Sequence, residues 1–328
     1  MTIQFHRRAL AGLAVAAAAP GLAHAQAAAW PSGPVRLVVP FGAGGAVDTL
    51  SRAVANAFGP HSNGHPMVVE NRSGAGGAIA GQFTAQARPD GQTLMMADLG
   101  ANAIGKLLQP GLAYDPATAF TPIIHLVNLP IVVIVPAASR VRTLDDLAAL
   151  ARSRADGIPY ASPGVGHVSH LASELLAQKA GVKFTAVHYR SGADVLRSVI
   201  AGETEFSFPS VSTALPFIRD EKVRAIAIGT PRAVAALPNV PAVAARFPGF
   251  EAMTWHGISG PAGMDPALVA RINAAFRAII TSAEVKSFVE TRQAAEVVAG
   301  TPAEFAALVT GDIAKWGPVI RDGNIRAE

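Results

Sequence analysis

Three short glycine-rich stretches carry the chemistry most open to reading. Phe41-Gly42-Ala43-Gly44-Gly45 has no Lys, Arg, Ser or Thr side chain, so any hydrogen bond it donates comes from its backbone. Arg72-Ser73-Gly74-Ala75-Gly76-Gly77 is a second such loop, and Ser162-Pro163-Gly164-Val165-Gly166-His167 a third. Glycine lets a backbone approach a ligand closely and reach positive φ. Where such a loop opens a helix, the first N–H groups lack partners and the helix dipole favours an anion. The first two loops are not nucleotide motifs. A Walker A loop ends in Gly-Lys-Ser/Thr, whereas Ala46 and Val47 follow Gly45. A dinucleotide fingerprint beginning at Gly42 or Gly74 lacks its third glycine, because Val47 and Ile79 stand there. Two readings remain: tight turns that pack helix on strand, or a pair of amide-lined carboxylate sites. Two like loops on neighbouring strands favour the second.

The flanking pattern supplies the elements that would position these loops. Short Val/Ile-rich runs alternate with longer Ala-rich amphipathic segments, the pattern of α/β architecture. Strands are expected at 35–40, 67–70 and 92–97, with helices at 47–58 and 77–88 between them. In the first helix Val47, Leu50, Val54 and Phe58 recur at helical spacing. This order implies a parallel sheet with right-handed crossovers. A second block repeats the style. It has strands at 130–135, 158–161, 184–188, 205–208 and 223–229, and helices at 143–152, 167–180, 192–201 and 212–220. Residues 231–250, with four prolines, read as a connection, and 255–260 return to strand character. Three helices follow, at 265–281, 283–292 and 301–320, the last opened by the capping box Thr301-Pro302-Ala303-Glu304. The sequence leaves open which block they join. With the third glycine loop in the second block, amide donors from both blocks would clamp an anion between two lobes.

Composition narrows the field. The 328 residues include 27 Lys+Arg, 23 Asp+Glu and no Cys. Disulfides, thiol nucleophiles and Cys-bound metals are thereby excluded, and no lipid can be attached to a cysteine. There is no basic cluster with interleaved aromatics, so nucleic acid is not an expected partner. His6, Arg7 and Arg8, the apolar run 9–19 and Ala23-His24-Ala25 form a secretory signal over residues 1–25, with a second A-x-A at Ala25–Ala27. The run is shorter than the roughly 20 residues of a membrane span. The mature chain is expected to be periplasmic, soluble and monomeric. Ser162, His167 and Asp194 can be arranged on paper as a hydrolytic triad, but no G-x-S-x-G elbow presents the serine. An enzyme is not expected.

The chain also resembles the substrate-binding proteins of tripartite tricarboxylate transporters, the Bordetella uptake gene family. The matching stretches are Pro40 to Asp48, VVENRSGAGG at 68–77, PDGQTL at 89–94, Tyr114-Asp115-Pro116 and Tyr160 to Leu171. LPNVPAVAARFPGF at 237–250 and WHGISGPAGMDPALVARINAAF at 255–276 complete them. Each motif is weak alone; their order and spacing over the mature chain are specific. The resemblance implies a two-lobed α/β periplasmic binding protein of type II, with the ligand cleft between lobes. Lobe one would be 30–130 plus 251–328, and lobe two 131–250. It implies a small carboxylate ligand held largely by backbone amides, inner-membrane transporter subunits as partners, and neither cofactor nor metal. A receptor domain that signals to a membrane sensor kinase is the alternative role.

Carried over by position, the cleft would be faced by Phe41, Gly42, Ala43, Gly44, Gly45 and Asp48, then Arg72, Ser73, Gly74, Ala75 and Gly76. Asp98 and Asn102 would join them in lobe one. Ser162, Gly164, Gly166, His167, His188, Arg190 and Ser191 would face it from lobe two. A carboxylate at Asp48 would repel an anion, so its expected task is to tie down its own loop. Arg72 is the rival to the amides, because a guanidinium can pair with a carboxylate in bidentate fashion. The chain departs from the family pattern at His188-Tyr189-Arg190-Ser191, at His167 and at Glu205. His167, His188 and His256 therefore fall at or near the expected cleft as hydrogen-bond donors. The plainer readings are a packed strand residue for His256 and a surface residue for His188.

Overall fold

The computed structural model of the protein describes residues 30–189 and 191–327. The signal segment and Arg190 lie outside them. The chain opens with β1 (Val35–Val39), α1 (Ala46–Asn56), β2 (Met67–Asn71), α2 (Ala78–Ala85) and β3 (Thr93–Ala97). Four of the five β1 residues are buried, as a strand covered on both faces must be. β1 pairs in parallel with β2 on one side and β3 on the other. Leu50 and Val54 of α1 and the following Phe58 are fully buried against this sheet. A π-type turn (Gly100–Ile104) and α3 (Gly105–Leu108) lead to β4 (Phe120–Pro130).

β4 hands the chain to the second block: β5 (Val132–Pro136), α4 (Leu144–Arg152), β6 (Ile158–Ser162), α5 (Val168–Ala180), β7 (Phe184–His188), α6 (Gly192–Ala201), β8 (Phe206–Ser207), α7 (Val211–Arg219) and β9 (Val223–Ile228). After α8 (Val243–Arg246), β10 (Met253–Pro261) returns to the first sheet, followed by α9 (Pro266–Thr281), α10 (Ala283–Arg292), β11 (Glu296–Val297) and α11 (Pro302–Asp322). The strand orders are β11-β4-β10-β3-β1-β2 and β7-β6-β8-β5-β9.

The result is a two-lobed α/β fold, but its sheets are mixed rather than parallel. β10 runs antiparallel to both β3 and β4. The reason is connectivity: β4 leaves the first sheet for the second, and β10 must come back the other way. β5 is likewise antiparallel to β8 and β9. The strand at 120–130 was hidden in the sequence by His125, Asn128 and Pro130. The fold accommodates them: the buried His125 ring stacks on Phe305 at 5.9 Å, and Asn128 pairs with edge strand β11.

Helix starts follow the sequence closely. Asp265 caps α9, accepting from the N–H groups of Ala267 (2.8 Å) and Leu268 (3.1 Å). The capping box at Thr301 and Glu304 forms on α11. α9 packs on β4, whereas α11 touches β4, the 100–104 turn and α5. Phe305, Trp316, Val319 and Ile320 of α11 share one core with Ile104 and Leu108 on one side and Tyr160, Leu171 and Phe206 on the other. The buried carboxylate of Asp312 accepts from Trp255 Nε1 at 2.6 Å and pairs with Lys315 at 2.9 Å. α11 is thereby fastened to the returning strand. Among the described residues no helix is long and apolar enough to cross a membrane.

Candidate functional site

A cleft of about 920 Å³ lies between the two sheets, lined by residues from both and from β10. Besides the four-residue α3, five helices begin on it: α1, α2, α5, α6 and α7. They differ in how their first turns are satisfied. Thr213 N–H reaches Ser210 Oγ at the start of α7, and Asp194 N–H reaches Ser191 Oγ at 3.2 Å at the start of α6. His167 caps α5, its Nδ1 accepting from Ser169 N–H at 3.1 Å. α1 and α2 begin at Gly45 and Gly77 with no side-chain cap at all. At α1 the first N–H groups are therefore available to a ligand, whereas at α2 Gly77 N–H already donates to Gly74 O at 3.0 Å and Ala78 N–H to Ala75 O, so the amides at the cleft there are those of Ala75 and Gly76.

The 41–45 loop is held from behind. Asp48 accepts from Gly44 N–H, Arg52 Nε and Asn71 Nδ2, each at 2.9 Å, and Asn71 Nδ2 also donates to Phe41 O at 2.9 Å. Arg52, together with these hydrogen bonds, brings the Asp48 pKa down to about 2 against the opposing effect of burial. The carboxylate is buried behind the loop and absent from the cleft wall, which Phe41 and Gly45 reach. Gly44 takes the left-handed conformation with φ 85°, whereas Gly45 has φ −77°. The demand for positive φ thus falls on Gly44 alone.

In the second loop Ala75 and Gly76 reach the cleft and the residues before them do not. The Arg72 guanidinium lies 3.6 Å over the Phe83 ring and pairs with Glu70. This occupies the group that could have replaced the amides. Asp98, at the end of β3, is on the cleft wall; its carboxylate accepts from Gly100 N–H (3.3 Å) and Ala101 N–H (3.1 Å). Burial outweighs these bonds and pushes its pKa up to about 6. Asn102 acts from behind, accepting from Asp98 N–H at 3.2 Å and donating to Ser259 Oγ at 2.9 Å.

Across the cleft, Gly164, Gly166 and His167 are on the wall. Buried Ser162 shapes their turn: its Oγ donates to Gly164 O at 3.0 Å and accepts from Gly164 N–H at 3.3 Å. Gly166 has φ 74°, and a β-carbon there would overlap Leu108 of the opposite lobe. The His167 ring opens onto the cleft, yet enclosure between the lobes lowers its pKa to about 4. With Nδ1 accepting from the backbone, the neutral ring carries its proton on Nε2. His188 is elsewhere. It is exposed at the end of β7, 4.9 Å from the His170 ring, beside a separate hollow formed with Tyr189 and Arg197.

Several cleft residues carried no such expectation. Thr254 of β10 reaches the cleft, and so does His256, which from sequence had two readings, a group at or near the cleft and a packed strand residue. His256 is 4% exposed, its Nδ1 has no hydrogen-bond partner, and burial lowers its pKa to about 4. Ser210 and Thr213 line the cleft where α7 begins; the logic applied to the other helix starts would have found them. Arg326 had no sequence signal. It arrives because Ile325 is buried and Ala327 N–H donates to Leu108 O at 3.2 Å. Among the described residues it is the one Lys or Arg on the cleft wall. No three His, Asp or Glu side chains among the described residues converge as a metal site.

Comparison with known proteins agrees with this architecture. Residues 51–325 match the family model described as "Tripartite tricarboxylate transporter family receptor". The chain is 32% identical over 323 residues to a protein encoded in the tcbD-tcbE intergenic region of Pseudomonas sp. strain P51, covering 98% of this chain and 95% of that one. It is 29% identical to BugT of Bordetella pertussis, covering 96% and 97%. Among solved structures, R. palustris Rpa4515 with adipate is 31% identical with a TM-score of 0.80, covering 91% of this chain and 99% of that chain. MatC of Rhodopseudomonas palustris with bound malate is 30% identical with a TM-score of 0.77, covering 89% and 100%. Receptors of this kind work with membrane transport subunits. The chain belongs to the tripartite tricarboxylate transporter receptor family: it is a two-lobed periplasmic solute-binding receptor rather than an enzyme.

Proposed function

We propose that the protein captures a small carboxylate on the backbone amides that open α1 and on those of Ala75 and Gly76 just before α2, and delivers it to inner-membrane transporter subunits. The observation that carries this reading is the contrast among the helices at the cleft: α5, α6 and α7 are capped by side chains, whereas α1 and α2 are not. Gly45, Ala75 and Gly76 bring those amides to the wall. The Nε2–H of His167 and the Arg326 guanidinium complete the donors. Lobe one takes residues 30–130 and 251–328, and lobe two takes 131–250. Adipate and malate, the acids held by the two similar structures, are the first ligands to try. Titration calorimetry on protein stripped of co-purified ligand should give one site with a Kd of about 1 μM or tighter (about −8 kcal/mol). Saturating ligand should raise the unfolding temperature. A panel of aliphatic and aromatic mono-, di- and tricarboxylates that leaves both readouts unmoved would overturn the reading.

A further inference from the structure

The floor of the cleft holds a polar group that an anion cradle does not need. β10 crosses between the lobes, and Thr254 and His256, two residues apart, face the cleft from it. Alternate residues of a strand share one face, so hydroxyl and imidazole form a polar pair. The His256 ring is almost fully buried, and Nδ1 finds no partner among the described residues. A buried polar atom left without a partner is costly, and a native fold retains one where a ligand or water satisfies it.

The chemistry of that missing partner can be narrowed. The ring is neutral, since burial and the neighbouring His125 lower its pKa to about 4. It therefore offers hydrogen bonds and no charge. The ring N–H is directed at the carbonyl of Ala97, which opposes the fall in pKa, and the next residue is Asp98, whose carboxylate is on the same wall. A second carboxylate on the ligand would be repelled by that acid when it is ionised. A carbonyl or carboxylate oxygen can only accept, so it would suit one tautomer of the ring. A hydroxyl can donate to the imidazole lone pair or accept from its N–H, and has capacity left for the Thr254 hydroxyl.

We infer that His256, with Thr254, reads a hydroxyl group on the ligand, so that the receptor selects hydroxycarboxylates over their deoxy counterparts. This rests on the carboxylate reading above. A site built to bond a hydroxyl rejects the analogue that lacks it, because the protein groups are then left buried and unpaired. The test uses acid pairs that differ by one hydroxyl: malate and succinate, 3-hydroxybutyrate and butyrate, 4-hydroxybenzoate and benzoate. Calorimetry on the wild-type protein should show at least one pair in which the hydroxy acid binds about tenfold tighter or more. His256→Phe, which keeps a planar ring and removes both nitrogens, should bring that ratio below about twofold, and Thr254→Val should reduce it in part. Nitrogen-15 spectra of histidine-labelled protein give a readout that needs no variant: the His256 ring resonances should move with the hydroxy acid and not with its partner. Equal wild-type affinity within every pair that binds overturns the inference and leaves the carboxylate reading standing. So does a ratio that survives in folded His256→Phe. Failure of every acid to bind overturns the carboxylate reading itself, and this inference with it.

Discussion

Raising the pH through 6 should weaken carboxylate binding, and Asp98 should be the cause. Its carboxyl group is buried on the cleft wall beside the uncapped helix starts, with a pKa of about 6 because burial outweighs two backbone hydrogen bonds. Two carboxylates about 5 Å apart at an effective dielectric constant of about 20 repel by roughly 3 kcal/mol. The ligand therefore binds mainly to protein with Asp98 protonated. In the limit where only that form binds, affinity falls by the factor 1 + 10^(pH − pKa). This is about 1.3 at pH 5.5 and about 100 at pH 8, so the loss across the range has an upper bound of roughly 75-fold. The first carboxyl of such a ligand stays ionised throughout, and a second one that titrates near the bottom of the range does so equally for the wild-type protein and for Asp98→Asn. In the free protein His167 and His256, with pKa values of about 4, are neutral over this range. Burial also raises the pKa of nearby Tyr114, which keeps its proton. The fold obeys the same sign: with its pKa raised from 3.8, Asp98 contributes stability that is complete below that value and lost as pH rises through about 6. Calorimetric titration with adipate or malate from pH 5.5 to 8 measures the slope. Asp98→Asn should flatten it, since the amide carries no charge at any of these pH values. A wild-type affinity constant to within about twofold, or an equal slope in Asp98→Asn, would refute the argument.

Two substitutions separate the cradle from its support. Gly45→Val should abolish or strongly weaken carboxylate binding with little change in unfolding temperature, because Gly45 has φ −77° and a β-carbon there meets only Gly42 O at 3.8 Å. Unchanged affinity in that folded variant would remove the amides of α1 from the site. Asp48→Asn should lower stability at pH 7 by about 1–2 kcal/mol in urea denaturation. The depression of its pKa from 3.8 to about 2 corresponds to roughly 2.5 kcal/mol, discounted because the partner Arg52 is half exposed. That difference should hold above pH 4 and vanish as pH falls through about 2. If Asp48 instead faced the anion, Asp48→Asn would tighten binding without loss of stability.

The elements most legible in the sequence were those whose ends carry their own chemistry. α4, α9 and α11 begin at Thr143, Asp265 and Thr301, residues whose side chains bond the first-turn amides in the folded chain. β1 and β2 were legible as branched apolar runs. β4 was not, because His125 and Asn128 break its pattern and only the tertiary partners Phe305 and β11 explain them. At the site, loops 41–45, 72–77 and 162–167 announced themselves through glycine. Which of their residues face the cleft depends on rotations of a few dihedral angles. Gly45 and Gly76 face it, Asp48 turns behind its loop, and Arg72 is drawn to Glu70 and Phe83. Arg326 was beyond sequence reasoning, since only the burial of Ile325 and one hydrogen bond to Leu108 fold the tail back over the cleft.

The charge balance of the cleft explains why glycine was the informative signal. Among the described residues the wall carries one acid, Asp98, and one base, Arg326, with neutral histidines beside them. Side-chain charge therefore comes close to cancelling when Asp98 is ionised. With Asp98 protonated, the form that binds, Arg326 leaves one positive charge on the wall, and the dipoles of the helix starts add to it. Each helix start is equivalent to roughly half a positive charge, so α1 and α2 together supply about one, enough to match a single carboxylate. These dipoles are fixed by the fold and need no side chain to be ordered on binding, which would otherwise cost conformational entropy. Their partial charges also bind less tenaciously than a buried guanidinium pair would. A receptor that must release its solute gains from that restraint. The same design leaves selectivity to the neutral groups on β10 and to the proton on Asp98, because amides that hold one carboxylate hold any other about as well.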